Sequence, residues 1–451
     1  MTIVLSPLIA NILQGIITLI KTWWWIFAPL VLYFPARFFY KYWLQWSIWY
    51  PRQKWAMFEL IPAAEIERPF KAMEAFFHSV WSIIDQPNWR EEWCEGEPEN
   101  GPFWFSLEIV SKAGEIHFYL RILEGMKPMF DSYIHTHYPQ TEIRPVQDYT
   151  KQIPTDLPNE KMDLYGEEFY FTREDFYPLR TYPFFEIQPG ETGEEKRVEP
   201  FVALMEAITQ LKPGEEYWFQ IIPIPIDNTD IPWQDQGREK ANEIARRPKK
   251  AKPKSLLSML LSELVSWTKA LGRALTGESV QEEEKPLEIP PTEISAEGEV
   301  EMRLTPGEKE ILTAIENKIS KHGFKTCFRN IYLYERDVYV SAHGKIGRTY
   351  MSYFNTDALN QLVHYSKLRT RVHYFFRKRR LAARKKAILR RYIARFPPHF
   401  PKRQGPGLPI LNAEELASIF HYPSQAYLLP PGVPRIPAKK GGPPPNLPIE
   451  G

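Results

Sequence analysis

Between Ser366 and Gln404 the chain carries fifteen Lys and Arg and not one Asp or Glu. Cations at that density repel one another, so a fold that contains them must supply carboxylates or leave them to a polyanion. The chain of 451 residues has 57 basic and 55 acidic side chains, a balance of +2, so the 412 residues outside the run net −13. A basic element is set against an acidic body. Val372, Phe375, Phe376, Leu381, Ile388, Leu389, Tyr392 and Ile393 keep rough helical spacing within it. That spacing predicts a long cationic amphipathic helix over 366–404. Its candidate contact residues are Arg377, Lys378, Arg379, Arg380, Arg384, Lys385, Lys386, Arg390 and Arg391. Three partners fit: anionic lipid headgroups, nucleic-acid phosphates, or acidic surfaces of this chain or a neighbour. No zinc-finger or RNA-recognition pattern accompanies the run, so nucleic-acid binding would be non-specific.

The N-terminus is the opposite extreme. From Met1 to Ala36 the one charged side chain is Lys21. The stretch of 23 residues from Ile12 to Phe34 suffices for the ~20 mainly apolar residues that a spanning helix requires. Positive charge follows the apolar core instead of preceding it, which argues against a secretory signal. The expectation is a single-pass transmembrane helix within residues 1–61, with Trp23, Trp24 and Trp25 near an interface and Lys21 snorkelling. Arg37, Lys41, Arg52 and Lys54 come next. On the positive-inside rule they place the bulk of the chain in the cytoplasm, beneath the cell (inner) membrane.

The middle of the chain reads as α+β, in about three small ferredoxin-like units. The first, 62–150, has a helical stripe at Phe70–Ile84. Strands follow at Phe103–Ser111 and Glu115–Leu123 around Ala113-Gly114, then a helix at Lys127–His137 and a strand at Thr141–Tyr149. The second, 151–233, has strands at Glu168–Arg173, Phe184–Ile187 and Glu216–Ile226 and a helix at Val198–Gln210. Pro223 and Pro225 mark an edge or an exit in its last strand. Residues 234–303 hold a basic helix at Arg238–Arg247, an amphipathic stretch at Leu256–Leu275 and an acidic, linker-like run at Gly277–Glu301. In the third unit, 304–365, Thr305 and Glu308 form a capping pair. A helix runs to about Lys321, strands occupy Phe324–Tyr334 and Val338–Ala342, and a short helix lies near Thr356–His364. The tail, 405–451, is Pro-rich around a short helix capped by Asn412.

No motif names a reaction. Gly344-Lys345-Ile346 lacks both the preceding glycine and the hydroxyl of a phosphate-binding loop, and there is no nucleophile elbow, HExxH, CxxC or dinucleotide fingerprint. His135 and His137 stand two apart on a helix and face different ways. No catalytic, cofactor-binding or metal-ligating set is therefore expected, and the chain is read as a non-enzyme. Cys94 and Cys327 are expected to be free thiols.

Phe103–Val110 with Gly114–Tyr119, Tyr138–Ile143, Leu304–Glu308 with Ala314–Ile319, and Leu411–Pro423 together resemble a bacterial membrane-associated region of unknown function. In that family the region precedes an ATPase module similar to those of conjugation and type IV secretion. The resemblance carries no catalytic residues, and no phosphate-binding loop follows in these 451 residues. It implies a non-catalytic scaffold or accessory subunit of such an ATPase system, with the ATPase, copies of itself and membrane lipids as partners. The alternative is a membrane-tethered protein that binds nucleic acid through the basic helix.

Overall fold

Alternating apolar residues on either side of Ala113-Gly114 make a hairpin of two strands, and the rest of the architecture is assembled around it. The turn takes left-handed backbone at both positions, φ 50° at Ala113 and 90° at Gly114, the geometry that matches the twist of the flanking strands. Leu107 pairs with Leu120 and Ile109 with Phe118. Phe103, Phe105, Leu107 and Ile109 are buried on one face with Ile116, Phe118 and Leu120, as the alternation predicts. The computed structural model describes residues 7–62, 69–84, 87–97, 103–154, 156–185, 199–228, 231–247, 304–373, 375–396 and 407–422.

The strands are β1 (Trp55–Ile61), β2 (Ser106–Lys112), β3 (Glu115–Leu123), β4 (Glu142–Pro145), β5 (Met162–Phe171), β6 (Glu215–Ile226), β7 (Gly323–Glu335), β8 (Leu362–His364) and β9 (Ile410–Asn412). They do not form three separate ferredoxin-like units. All nine join one sheet in the order β4-β1-β3-β2-β6-β7-β5-β8, with β9 also on β7, and every pairing is antiparallel. The expected units fail because β2, β6 and β7, placed in three different units by sequence, are neighbours. Their apolar character on both faces is that of strands covered on both sides.

The longer helices among the described residues are α1 (Pro7–Trp43), α2 (Pro69–Trp81), α3 (Lys127–His137), α4 (Pro200–Thr209), α5 (Trp233–Ile244), α6 (Pro306–Ile319), α7 (Ile346–Ser352), α8 (Arg377–Ala394) and α9 (Ala413–Ile419). One face of the sheet packs Leu107, Phe118, Phe219 and Phe328 against Phe77 of α2, Phe130 of α3, Met205 of α4, Met351 of α7 and Leu416 of α9. The other face sets Val110, Trp218, Ile331 and Leu333 against Ile388, Leu389 and Tyr392 of α8. Chain contacts divide the protein into two units, one of residues 1–233 and 318–451 and one of Gln234–Asn317. In the second unit, Thr305 and Glu308 form the expected reciprocal cap on α6, and Arg247 pairs with Glu316 at 3.8 Å.

The transmembrane expectation is corrected. Among the described residues no helix is long and apolar enough to cross a membrane. With 37 residues α1 has the length; its composition falls short. Gln14, Lys21, Thr22 and the Trp23–Trp25 cluster dilute its aliphatic residues, and each indole carries a polar N–H. The inner-membrane, single-pass placement loses its support with it.

Four local expectations also change. Tyr182–Phe184 is a 3-10 turn where the strand Phe184–Ile187 was expected to begin, and 186–187 lie outside the described residues. Residues Arg336–Val338 form a 3-10 turn where a strand at Val338–Ala342 was expected. The short helix is α7, earlier than Thr356–His364, and Leu362–His364 is strand β8. Among the described residues of the basic run, the helix extends from Arg377 to Ala394. Leu256–Leu275, the Gly277–Glu301 run, 397–404 and the Pro-rich 423–451 lie outside the described residues. Pro223 and Pro225 do sit at an edge. β2 pairs with β6 only as far as Ile221, and beyond it β6 keeps β7 alone.

Candidate functional site

Each of the four strands β2, β6, β7 and β5 places one polar side chain on the face beneath α8. Glu108 is opposite Gln220, Gln220 opposite Arg329, and Arg329 opposite Glu168. All four are fully buried. They form a polar row perpendicular to the strands, about 14 Å long at the usual strand spacing. Buried polar groups are tolerated only with partners, and α8 supplies them.

The row holds the C-terminal end of the helix. The last carbonyls of a helix have no partner within it. Here Gln220 Nε2 donates to Tyr392 O at 3.2 Å, and Arg329 donates to Arg391 O at 3.1 Å and Phe396 O at 3.2 Å. Tyr50 and Trp104 donate to Ala394 O and Arg395 O at 2.8 and 3.0 Å. Arg395 ends the helix in left-handed backbone, φ 49°, a conformation that costs a side-chain-bearing residue ~1–2 kcal/mol. Its guanidinium is clamped by Glu108 at 2.6 and 3.0 Å and by Asp148 at 2.6 and 3.0 Å. Burial would raise the Glu108 carboxyl. The Arg395 charge, with hydrogen bonds from Arg395, Tyr149 and Gln220, outweighs burial and holds it below the usual carboxylate range.

Further along the helix, Lys385 reaches Asp163 at 2.5 Å and Arg391 reaches Glu168 at 3.3 Å. Arg384 donates to the carbonyls of Arg369 and Arg371 at 3.1 and 2.8 Å and so fastens the preceding loop. Gly166 on β5 allows the close approach: an added Cβ would lie 2.8 Å from Ile388 Cδ1.

The nine candidate cations thus divide. Arg384, Lys385 and Arg391 are used internally, whereas Arg377, Lys378, Arg379, Arg380, Lys386 and Arg390 are exposed. The outward side of α8 is a cationic strip whose position relative to the sheet is set by buried ion pairs. Trp23, Trp24 and Trp25 lie on α1, 46%, 61% and 58% exposed, with Trp23 and Trp25 stacked at 6.3 Å. Lys21 is exposed too, and the four are remote from the strip in the chain.

Sequence reasoning missed Glu108, Gln220, Arg329, Glu168 and Arg395. A signal was present in part: Gln220 and Arg329 interrupt the apolar residues Trp218 and Ile222, and Cys327 and Ile331, that flank them on that face of their strands. Among the described residues no group of His, Cys, Asp and Glu is arranged to hold a metal ion. Cys94 is exposed and Cys327 buried, both as free thiols. Compared with known proteins, the chain matches no family model, and none of the curated proteins is significantly similar to it.

Proposed function

We propose that this chain is a non-catalytic scaffold in a secretion- or conjugation-like ATPase system, and that it presents the outward face of α8 to a polyanionic partner. The observation that carries the reading is the division of the basic helix. Its inner cations are consumed by Asp163, Glu168, Glu108 and Asp148, whereas six others point away with no sheet carboxylate assigned to them. A row of like charges on a rigid mount lowers the entropy cost of binding and steers an oppositely charged partner. The link to an ATPase rests on the sequence resemblance.

The test is co-expression with the hexameric ATPase encoded nearest to this chain's gene. The expected result is a complex that survives gel filtration. Absence of any complex would overturn the scaffold reading. Steady magnesium-dependent ATP turnover by the purified chain alone would overturn its non-catalytic part.

A further inference from the structure

We infer that the N-terminal end of α8 is a binding site for single-stranded nucleic acid, made of the Phe375 and Phe376 rings and the cations that follow them. The inference rests on α8 being a presentation face, and it names what that face holds.

Three features at this spot oppose folding when nothing is bound. Phe375 is 88% exposed and Phe376 77%, large rings left in water. Phe376 begins the helix in left-handed backbone, φ 58°, with no side-chain cap, a conformation rare for a bulky residue. Arg377, Lys378, Arg379 and Arg380 then crowd the first turn, where the helix dipole is already positive and carboxylates would be favoured. That turn contains none. Phosphates beside the cations and bases against the rings would offset two of these penalties together.

The packing of α8 chooses among polyanions. A helix that lies on a lipid surface inserts its apolar side, and the apolar side of α8 is spent: Ile388, Leu389 and Tyr392 are buried against the sheet. An acidic protein surface would answer the charges but offers the two rings no stack of flat partners. A duplex keeps its base faces on one another, whereas a single strand exposes them, and base–aromatic stacking is the usual device of proteins that hold single strands. From Arg377 to Arg390 the exposed cations extend ~20 Å along the helix. That length suits a short oligonucleotide within the ~4–16 nucleotide sites of such proteins.

The experiment titrates the full chain into a labelled oligothymidine of about 12 nucleotides, a duplex of the same length, and phosphatidylglycerol vesicles. Each titration is run over a salt series. The single strand is expected to bind most tightly, with log K falling against log salt at a slope of about −3, roughly four phosphates at −0.7 each. Phe375→Ala with Phe376→Ala should weaken it about thirtyfold or more and leave duplex binding and the melting temperature unchanged. Equal affinity for strand and duplex, indifferent to the phenylalanines, would overturn the site. So would vesicle binding that is tighter than oligonucleotide binding and lost in the phenylalanine variant. If no oligonucleotide binds while the ATPase complex still forms, the nucleic-acid site is wrong and the scaffold reading stands.

Discussion

Arg395 Nε donates to Glu108 Oε1 at 2.6 Å across 287 residues of sequence, with both side chains essentially removed from solvent. The basic helix therefore ends on the sheet in one place. Removing one partner of such a pair strands a buried charge, which costs about 3–5 kcal/mol, whereas replacing both by apolar groups is often close to neutral. Arg395→Met should lose about 3–5 kcal/mol in urea unfolding. Arg395→Met combined with Glu108→Leu should recover a good part of that loss. A single-variant loss below about 1 kcal/mol would mean the pair does not hold the helix.

The seat of α8 on β5 gives a separate test. A side chain at 166 would meet Ile388, so Gly166→Val should lift the helix. We expect a loss of ~1–3 kcal/mol from overpacking and faster hydrogen exchange of the α8 amides, with the β2–β3 hairpin amides still protected. Unchanged exchange in α8 would refute the close approach.

The outward cations should behave in the opposite way. Arg379→Glu with Arg380→Glu should change stability by no more than about 0.5 kcal/mol, as surface substitutions do. Lys385→Ala, which leaves Asp163 without its nearest cation, should cost more than the outward pair. If the two variants are equally destabilised, the division of the helix into an anchored side and a presenting side is wrong.

Acid should unfold the chain in a predictable window. Burial would raise the Glu74 carboxyl, but hydrogen bonds from His78, Lys321 and Tyr182 bring it down to about 2, against 4.5 unperturbed. A carboxylate depressed in the folded state stabilises fully above its unfolded value and loses that contribution as pH falls through the folded one. Stability should therefore decline between pH 4.5 and about 2, with Glu108, also depressed, adding to the slope. Glu74→Gln should flatten this limb when unfolding free energy is followed against pH. An identical slope in the variant would remove Glu74 from the account.

In the hairpin, Phe105 and Phe118 are fully buried. Either one changed to Ala should cost about 3–5 kcal/mol, measured by denaturant unfolding at constant m. A loss under about 1 kcal/mol for both would put the register in error.

Local structure was legible wherever one residue pattern decides it. The period-two run at Glu115–Leu123 and the caps at Thr305 and Asn412 act over a few residues and needed no distant partner. The sheet order was not legible, because β6 and β7 choose each other across a long separation and both read as apolar on two faces. The polar row was hidden for the same reason. A lone Glu108 or Arg329 looks like a solvent-facing position until Gln220, Arg395 and α8 are placed beside it. On α8 the run of charge was plain, but which cations turn inward depends on carboxylates as remote as Asp163 and Glu168. At the N-terminus, counting indole rings as fully apolar overstated the run.

Ile226 and Gly323 pair at the end of β6 and β7, although 96 residues lie between them in sequence. In terms of chain path, β6 and β7 are joined through the Gln234–Asn317 unit instead of a short turn. Lengthening a loop is entropically cheap: growth from a four-residue turn is four to five doublings at ~0.6 kcal/mol each, about 3 kcal/mol in all. A sheet whose central pair buries Trp218, Ile222 and Phe328 can absorb that. The β6–β7 connection is thus a point of insertion for foreign sequence. Replacing residues 234–317 with a short Gly-Ser bridge should leave the sheet and the α8 anchor folded, and other domains of similar end-to-end span should be accepted in the same place.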